Sequence, residues 1–201
     1  MILPLARPHD FTACATAQLK RFSLASERLE LRALRAQDAD LYCDLYTDSD
    51  TMRFIGPTLS ARQAARSFTA ALRVGAAPLD GPLFIAVIER ASQHSLALCA
   101  IQQIRMRQAE TGVIVKPAAR GRGIATESLR AVIEWGLVAL PVEHIWVQCS
   151  VHNIIAERLF RAVGLAQLAV GAEPSEMIWS VDRKSWQFKQ EKNDVQCPRV
   201  S

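Results

Sequence analysis

The stretch from Glu110 to Leu140, ETGVIVKPAARGRGIATESLRAVIEWGLVAL, constrains this chain more than any other. The β-branched run Val113-Ile114-Val115 closes an extended, buried strand over 110–115. Pro117 removes a backbone donor and stops it. Arg120-Gly121-Arg122-Gly123 follows, and its two glycines let the backbone turn tightly and approach a ligand. Thr126 and Glu127 then open a helix with Leu129, Val132, Ile133, Leu137 and Leu140 on one face.

A strand, a glycine loop and a helix in this order leave backbone N–H groups unpaired where the helix dipole favours negative charge. The dipole is worth about 0.3–1 kcal/mol, and Arg120 and Arg122 add charge-assisted hydrogen bonds. A phosphate or pyrophosphate suits such a place. No Gly-Lys-Ser/Thr closes the loop, so it is not a P-loop. Gly-x-Gly-x-x-Gly and an acidic ribose ligand are absent too, which excludes the Rossmann fingerprint.

Around this centre the chain alternates strands and helices. Ser26 to Arg32, with Leu29 and Leu31 between charged residues, reads as a half-buried strand. A short helix follows from Asp38 through Leu41 and Leu45, broken at Asp48-Ser49-Asp50, and Met52 to Pro57 reads as a turn. Ser60 caps a second helix through Ala64, Phe68, Ala71 and Leu72, with Gly75 as its stop. Asp80-Gly81-Pro82 is turn chemistry. Leu83 to Ile88 is a continuous apolar run and so a central strand, and Leu96 to Ile104 is its hairpin neighbour. After Pro141, His144 to Cys149 alternates cleanly, and a right-handed crossover makes it parallel to 110–115. Asn153 starts a helix with Ile155, Leu159, Phe160 and Val163 inward and Gly164 as its stop. Strands over 166–170 and 176–181 complete one α/β domain of residues 23–187, between an N-terminal extension 1–22 and a C-terminal tail 188–201.

The run Arg120-x-x-Gly123-x-Ala125, with Glu110-Thr-Gly112 and Lys116-Pro117 before it and Thr126-Glu127 after it, resembles the acetyl-CoA motif of the GNAT superfamily of N-acetyltransferases. The nearest branch is that of the ribosomal-protein N-terminal acetyltransferases, whose first strand also resembles Ser26-Glu-Arg-Leu-Glu-Leu-Arg32. The resemblance spans about residues 24–185 and implies a central mixed, mostly antiparallel sheet flanked by helices. Its one parallel pair, 110–115 with 144–149, would be splayed. It also implies acetyl-CoA as co-substrate. The pyrophosphate would lie on the backbone of Gly121, Arg122, Gly123, Ile124, Ala125 and Thr126, with Arg120 beside it. The pantetheine arm would lie on backbone groups of Val113 and Val115 and on Asn153. Glu110 would be the general base, and the Met52–Pro57 region would line the acceptor side.

The chain departs from this pattern at Ala156, where many relatives carry a serine that protonates the leaving thiolate. Ser150 and His152 are the nearby replacements. The tyrosines, Tyr42 and Tyr46, lie far upstream. Proton balance bears on the acceptor: deprotonating a lysine of pKa about 10.4 at pH 7 costs about 4–5 kcal/mol, against about 1 kcal/mol for an α-amine near 7.8. The expected acceptor is therefore a protein or peptide N-terminus, or a small molecule with a weakly basic amine. The alternative class is a non-catalytic acyl-CoA-binding regulatory module.

Composition narrows the remaining options. Half of the 201 residues are hydrophobic and 22% are charged, which suits a folded domain rather than a disordered chain. A net charge of +4 permits an anionic ligand without requiring nucleic acid. An Arg-Gly loop without neighbouring aromatic residues is a poor RNA signal. Five scattered cysteines with no C-x-x-C pair imply reduced thiols and no zinc site. No uninterrupted apolar run reaches the 18 or so residues of a membrane span, and the start Met1-Ile-Leu-Pro is no signal peptide. A cytoplasmic monomer or homodimer using no metal is expected.

Overall fold

The computed structural model describes residues 22–76, 81–105, 107–170 and 175–187. The extension up to residue 21, Asp80 of the expected turn, and the tail from 188 lie outside the described residues, as do Cys14 and Cys197. The strands are β1 (Ser23–Ala25), β2 (Leu29–Ala33), β3 (Leu83–Glu89), β4 (Ser95–Arg105), β5 (Gln108–Val115), β6 (His144–Ser150), β7 (Ala166–Val170) and β8 (Glu176–Asp182). They form one sheet in the order β1-β2-β3-β4-β5-β6-β8-β7. Every neighbouring pair is antiparallel except β5 and β6, which are parallel as the crossover rule requires.

Among the described residues five α-helices cover the two faces: α1 (Ala39–Thr47), α2 (Ser49–Met52), α3 (Ala61–Ala76), α4 (Ile124–Ala139) and α5 (Ile154–Val163). On one face Leu41, Tyr42 and Leu45 of α1 and Phe68 of α3 pack on Ala86, Ile88 and Leu98. On the other, the apolar stripe of α4 meets Ile85, Val87, Cys99, Ile101, Ile145 and Val147. Leu129, Val132, Ile133 and Leu137 are each at most 2% exposed, and burial of such a side chain is worth about 1.5–3 kcal/mol. The helix lies very close to the sheet at Gly136, where a Cβ would come 2.7 Å from Ile145 Cδ1 and 2.9 Å from Ile101 Cδ1. That close seat fixes the last turn of α4 against β4 and β6.

Several boundaries differ from those expected. The strand expected over 26–32 starts only at Leu29, because the chain turns at 26–28: Ser26 Oγ accepts from Leu29 N–H at 3.2 Å, and β1, before the turn, forms a hairpin with β2. Phe22, placed by sequence in the extension, is 4% exposed with its ring edge-on to Trp135 at 4.6 Å. Helix α4 begins at Ile124 rather than Thr126, because Gly123 turns the chain into it from the left-handed region. Helix α3 continues through Gly75 to Ala76. Its expected cap is present, with Ser60 N–H donating to Gln63 Oε1 at 2.9 Å and Gln63 N–H donating to Ser60 Oγ at 3.4 Å. Asp48 both ends α1 and caps α2, accepting from Thr51 N–H at 2.7 Å.

The expectation that Ile155 faces inward is wrong; it is 81% exposed. At 100° per residue it lies about 140° around the helix from Phe160. The packed stripe runs instead through Ala156, Phe160 and Val163. Among the described residues no helix is long and apolar enough to cross a membrane, and Cys43, Cys99 and Cys149 are free thiols.

Between β2 and α1, Arg32 and Asp38 make a buried, two-pronged ion pair, Nη1–Oδ2 at 2.7 Å and Nη2–Oδ1 at 2.8 Å. Asp38 also accepts from Arg35 N–H at 2.7 Å. Removing one partner strands a buried charge, so Asp38→Ala should cost about 3–5 kcal/mol in urea unfolding. The double replacement Arg32→Met/Asp38→Leu should cost clearly less than Asp38→Ala alone.

Candidate active site

Strands β5 and β6 pair only at Gln108↔His144, Ala109↔Ile145 and Glu110↔Trp146, and then part. Each keeps its antiparallel neighbour beyond the fork. β5 stays on β4 as far as Ala97↔Val115, and β6 stays on β8 as far as Ser150↔Glu176. A cleft of about 530 Å³ opens between them. Glu110 is therefore the last residue of β5 before the gap.

The parting leaves strand edges unpaired. Lys116 N–H donates to Leu96 O on β4 at 2.9 Å, in the same ladder as Ile114↔Leu98 and Gly112↔Ala100. By antiparallel alternation, Val113 and Val115 turn their backbone groups the other way, into the gap. From the far side, Val151 N–H bonds Ser175 O and Arg183 N–H bonds Glu143 O, so the backbone of Gln148 also faces the gap. Of these groups, the Val115 carbonyl accepts a 3.3 Å bond from Arg120 Nε. Buried backbone polar groups are almost always paired, so an extended chain carrying amides would be complementary to this edge.

The loop behaves as its composition implies. Gly121 and Gly123 adopt φ of 74° and 78°, a left-handed conformation open to glycine at little cost. The backbone N–H groups of Gly121, Arg122, Gly123, Ile124, Ala125 and Thr126 make no hydrogen bond of good geometry among the described residues; the first N–H to do so is that of Glu127, to Gly123 O at 3.0 Å. Six consecutive free donors at the mouth of a helix form an anion nest. The two arginines are held to its sides: Arg120 Nη2 donates to Thr51 Oγ1 at 2.5 Å, and Arg122 is paired with Glu89.

Arg28 lies over the same loop, a residue that the motif did not single out. It donates to Arg122 O at 3.1 Å and pairs with Glu127 at 2.6 Å. Its Nη2 would sit 3.3 Å from a Cβ on Gly123. Burial works to raise the Glu127 carboxyl, but hydrogen bonds from Ser26 and Arg28 and the Arg28 charge bring it below the usual range. This acid therefore stays ionised and clamps the β1–β2 turn to the first turn of α4. Its charge is matched by Arg28, so the nest remains electropositive.

Side chains follow the strand alternation. Val113 and Val147 face α4 and α5, whereas Ile114 faces α1 and α3. Glu110 shares the Ile114 face, and Gln148, Ser150 and Glu176 continue it along β6 and β8. The Glu110 carboxyl is half-buried and has no hydrogen-bond or ion-pair partner among the described residues. Burial pushes its pKa above the ordinary carboxylate value. Asn153 lines the cleft from the other face and caps α5, its Oδ1 accepting from Ala156 N–H at 3.1 Å.

Ala156 also lines the cleft, where it supplies no proton. Ser150 lines it too, with its Oγ accepting from His152 N–H at 3.2 Å, while the His152 side chain is exposed. The fold brings in a hydroxyl that sequence distance had set aside: Tyr46 of α1 lines the cleft, stacked on Tyr42 with ring centroids 4.4 Å apart. Burial, with Tyr42 beside it, raises its pKa and keeps the phenol protonated. Phe54, Ile55 and Phe84 complete this wall. Of these only the Met52–Pro57 turn was legible beforehand. Tyr46, Phe84 and Glu176 come from elements with no motif, and only packing assembles them.

Residues 28–166 match the family profile of the acetyltransferase (GNAT) domain. No curated protein matches the chain. Among solved structures, a GCN5-related N-acetyltransferase from Brucella melitensis superposes with a TM-score of 0.72 at 19% identity, over 89% of this chain and 86% of that one. Spermidine N-acetyltransferase from Vibrio cholerae, in complex with CoA and spermine, gives 0.70 at 17% identity, over 81% and 99%. Ribosomal-protein-S5-alanine acetyltransferase from Vibrio fischeri gives 0.66 at 13% identity, over 82% and 98%. At these identities the superpositions establish the fold, and the profile covers well over half of the chain. The splayed strands, the glycine loop and the profile together place this protein in the GNAT family of acetyltransferases.

Proposed function

We propose that the protein is an acetyl-CoA-dependent N-acetyltransferase that moves the acetyl group directly to a bound amine, on a protein or peptide N-terminus or on a small molecule. The observation that carries this is the fork at Glu110, where an unpartnered, half-buried carboxyl meets an unpaired strand edge. The six free amides from Gly121 to Thr126, with Arg120 and Arg122 beside them, suit the pyrophosphate of the co-substrate. The backbone of Val113 and Val115, with Asn153, suits its amide-bearing arm. The superposed relatives act on a polyamine or on a ribosomal protein, so the fold accommodates both kinds of acceptor.

In this reading the amine nitrogen attacks the thioester carbonyl, whose developing oxyanion takes the Val113 N–H. A C–N bond forms, the C–S bond breaks, and the amine proton passes to Glu110 directly or through a water. The thiolate, with a pKa not far from about 8.5, takes its proton from water, directly or through the Ser150 hydroxyl on the cleft wall. A raised Glu110 pKa brings the base nearer to its working pH, where general bases are most effective.

A thiol-release assay with acetyl-CoA against N-terminal peptides, lysine peptides and small amines tests this. Transfer to an α-amine or weakly basic amine is expected, and binding of acetyl-CoA with no transfer to any acceptor would make the chain a non-catalytic acyl-CoA module. Glu110→Gln should lower kcat/KM by about 10²–10⁴-fold and remove the acidic limb of its pH profile. That limb should lie above the ordinary glutamate value of about 4.3.

The same substitution has a stability signature. Because burial raises the folded-state pKa of Glu110, its neutral form is the one the fold tolerates. Its contribution is intact below about pH 4.3 and is lost as pH rises through the folded value. Glu110→Gln should therefore unfold at a higher temperature than the parent at pH 7–8, and the gap should close as pH falls below 4. Gly123→Val places a branched side chain at φ 78° beside Arg28. It should weaken acetyl-CoA binding by calorimetry at least about tenfold, with the fold intact by circular dichroism.

A further inference from the structure

The walls of the cleft are chemically divided. On the face that carries Glu110, the apolar surface comes from Tyr46, Phe54, Ile55 and Phe84. Phe54 and Ile55, adjacent on this wall, are 38% and 50% exposed and leave apolar surface open at the cleft. The charged groups lining the cleft are Glu110 and Glu176, both acids, and no lysine or arginine lines it among the described residues. Neither carboxylate is paired: Glu110 and Glu176 make no ion pair or side-chain hydrogen bond among the described residues. Arg53, the chain neighbour of Phe54, does not line the cleft and lies over the Phe54 ring with its Cζ 5.2 Å from the centroid.

From this we infer that the acceptor is an amine borne on an aromatic or large apolar group, with no carboxylate beside the amine. The inference rests on the acetyl-transfer reading above and narrows its acceptor. Two unpaired carboxylates attract an ammonium group as it arrives and repel a second carboxylate in the same space. The aromatic rings offer their faces to the apolar body and to the incoming cation. A free α-amino acid fails on its carboxylate. An amine with a short, wholly polar body leaves the Phe54 and Phe84 wall uncovered. Two sources share the chemistry: a small arylalkylamine, and the first residue of a peptide that begins with a large apolar side chain.

The test measures acceptor binding and turnover separately. Phenethylamine, phenylalanine, a peptide beginning Phe-Ala and a peptide beginning Asp-Ala are titrated by calorimetry into the CoA-saturated protein. Each is also assayed for thiol release from acetyl-CoA. Phenethylamine or the Phe-Ala peptide should bind at least about tenfold more tightly than phenylalanine and the Asp-Ala peptide, and whichever of the two binds better identifies the source. Glu176→Gln should narrow the preference over phenylalanine, and Phe54→Ala should weaken the aromatic acceptors while leaving CoA binding unchanged. Arg53→Ala should leave the ranking as it was.

Phenylalanine binding as tightly as phenethylamine would overturn the inference. So would a loss of phenylalanine binding confined to Arg53→Ala, which would show that arginine receiving a carboxylate. The expected binding order without thiol release from any amine would keep this acceptor chemistry and remove the transferase reading. Thiol release with the order reversed would do the opposite.

Discussion

The fork between β5 and β6 is the constraint on which the site depends. Two parallel strands that pair at three positions could have gone on pairing, and a continuous sheet would have no cleft. Here each strand stays with its antiparallel neighbour instead, β5 with β4 and β6 with β8. Antiparallel ladders are slightly the more stable per residue, and the sheet's twist works against holding both contacts along the full length. The parallel contact is the one that yields. It yields at Glu110, which puts a carboxyl, an unpaired backbone edge and a cavity in one place.

The two ends of this cleft differ in charge. The loop end holds six free amides, the start of α4 and three arginines, Arg28, Arg120 and Arg122. Its acids, Glu89 and Glu127, are each paired to one of those arginines. The face of the sheet that bears Glu110 carries unpaired acids and aromatic rings. An anionic ligand and a cationic one would thus be drawn to different parts of one groove. The network from Arg28 through Glu127 also makes the first hairpin part of the loop's support, so the N-terminal strands have a role at the site although they lie at the far side of the sheet.

Much of this was legible in the chain. The alternation of His144 to Cys149, the apolar run of Leu83 to Ile88 and the stripe of Leu129, Val132, Ile133 and Leu137 reflect periods of 2 and 3.6 that local geometry imposes. The loop was legible because Gly121 and Gly123 are needed for its left-handed turns. Ile155 was misplaced because an apolar residue near the start of a helix says little about which way the first turn faces. The helix start was misplaced by two residues because Gly123 caps α4 by conformation, without a side-chain cap to mark it. The turn at 26–28 and the strand before it were hidden, since Leu29 and Leu31 alternate equally well with or without a turn before them.

By itself the sequence determined the order of elements from β2 onward except for the single turn of α2, the parallel relation of β5 and β6, the glycine loop with its arginines, and the carboxylate at the strand end. These follow from short-range rules: side-chain period, backbone freedom at glycine and the handedness of crossovers. Only the tertiary structure decided where the parallel strands part, which way Arg28 and Arg122 turn, and that Tyr46, Phe84 and Glu176 share a wall with Glu110. Those residues are separated by up to most of the domain, and no local period links them. Their meeting is set by which ladder yields and by how closely the helices sit on the sheet, and both are properties of the packed whole.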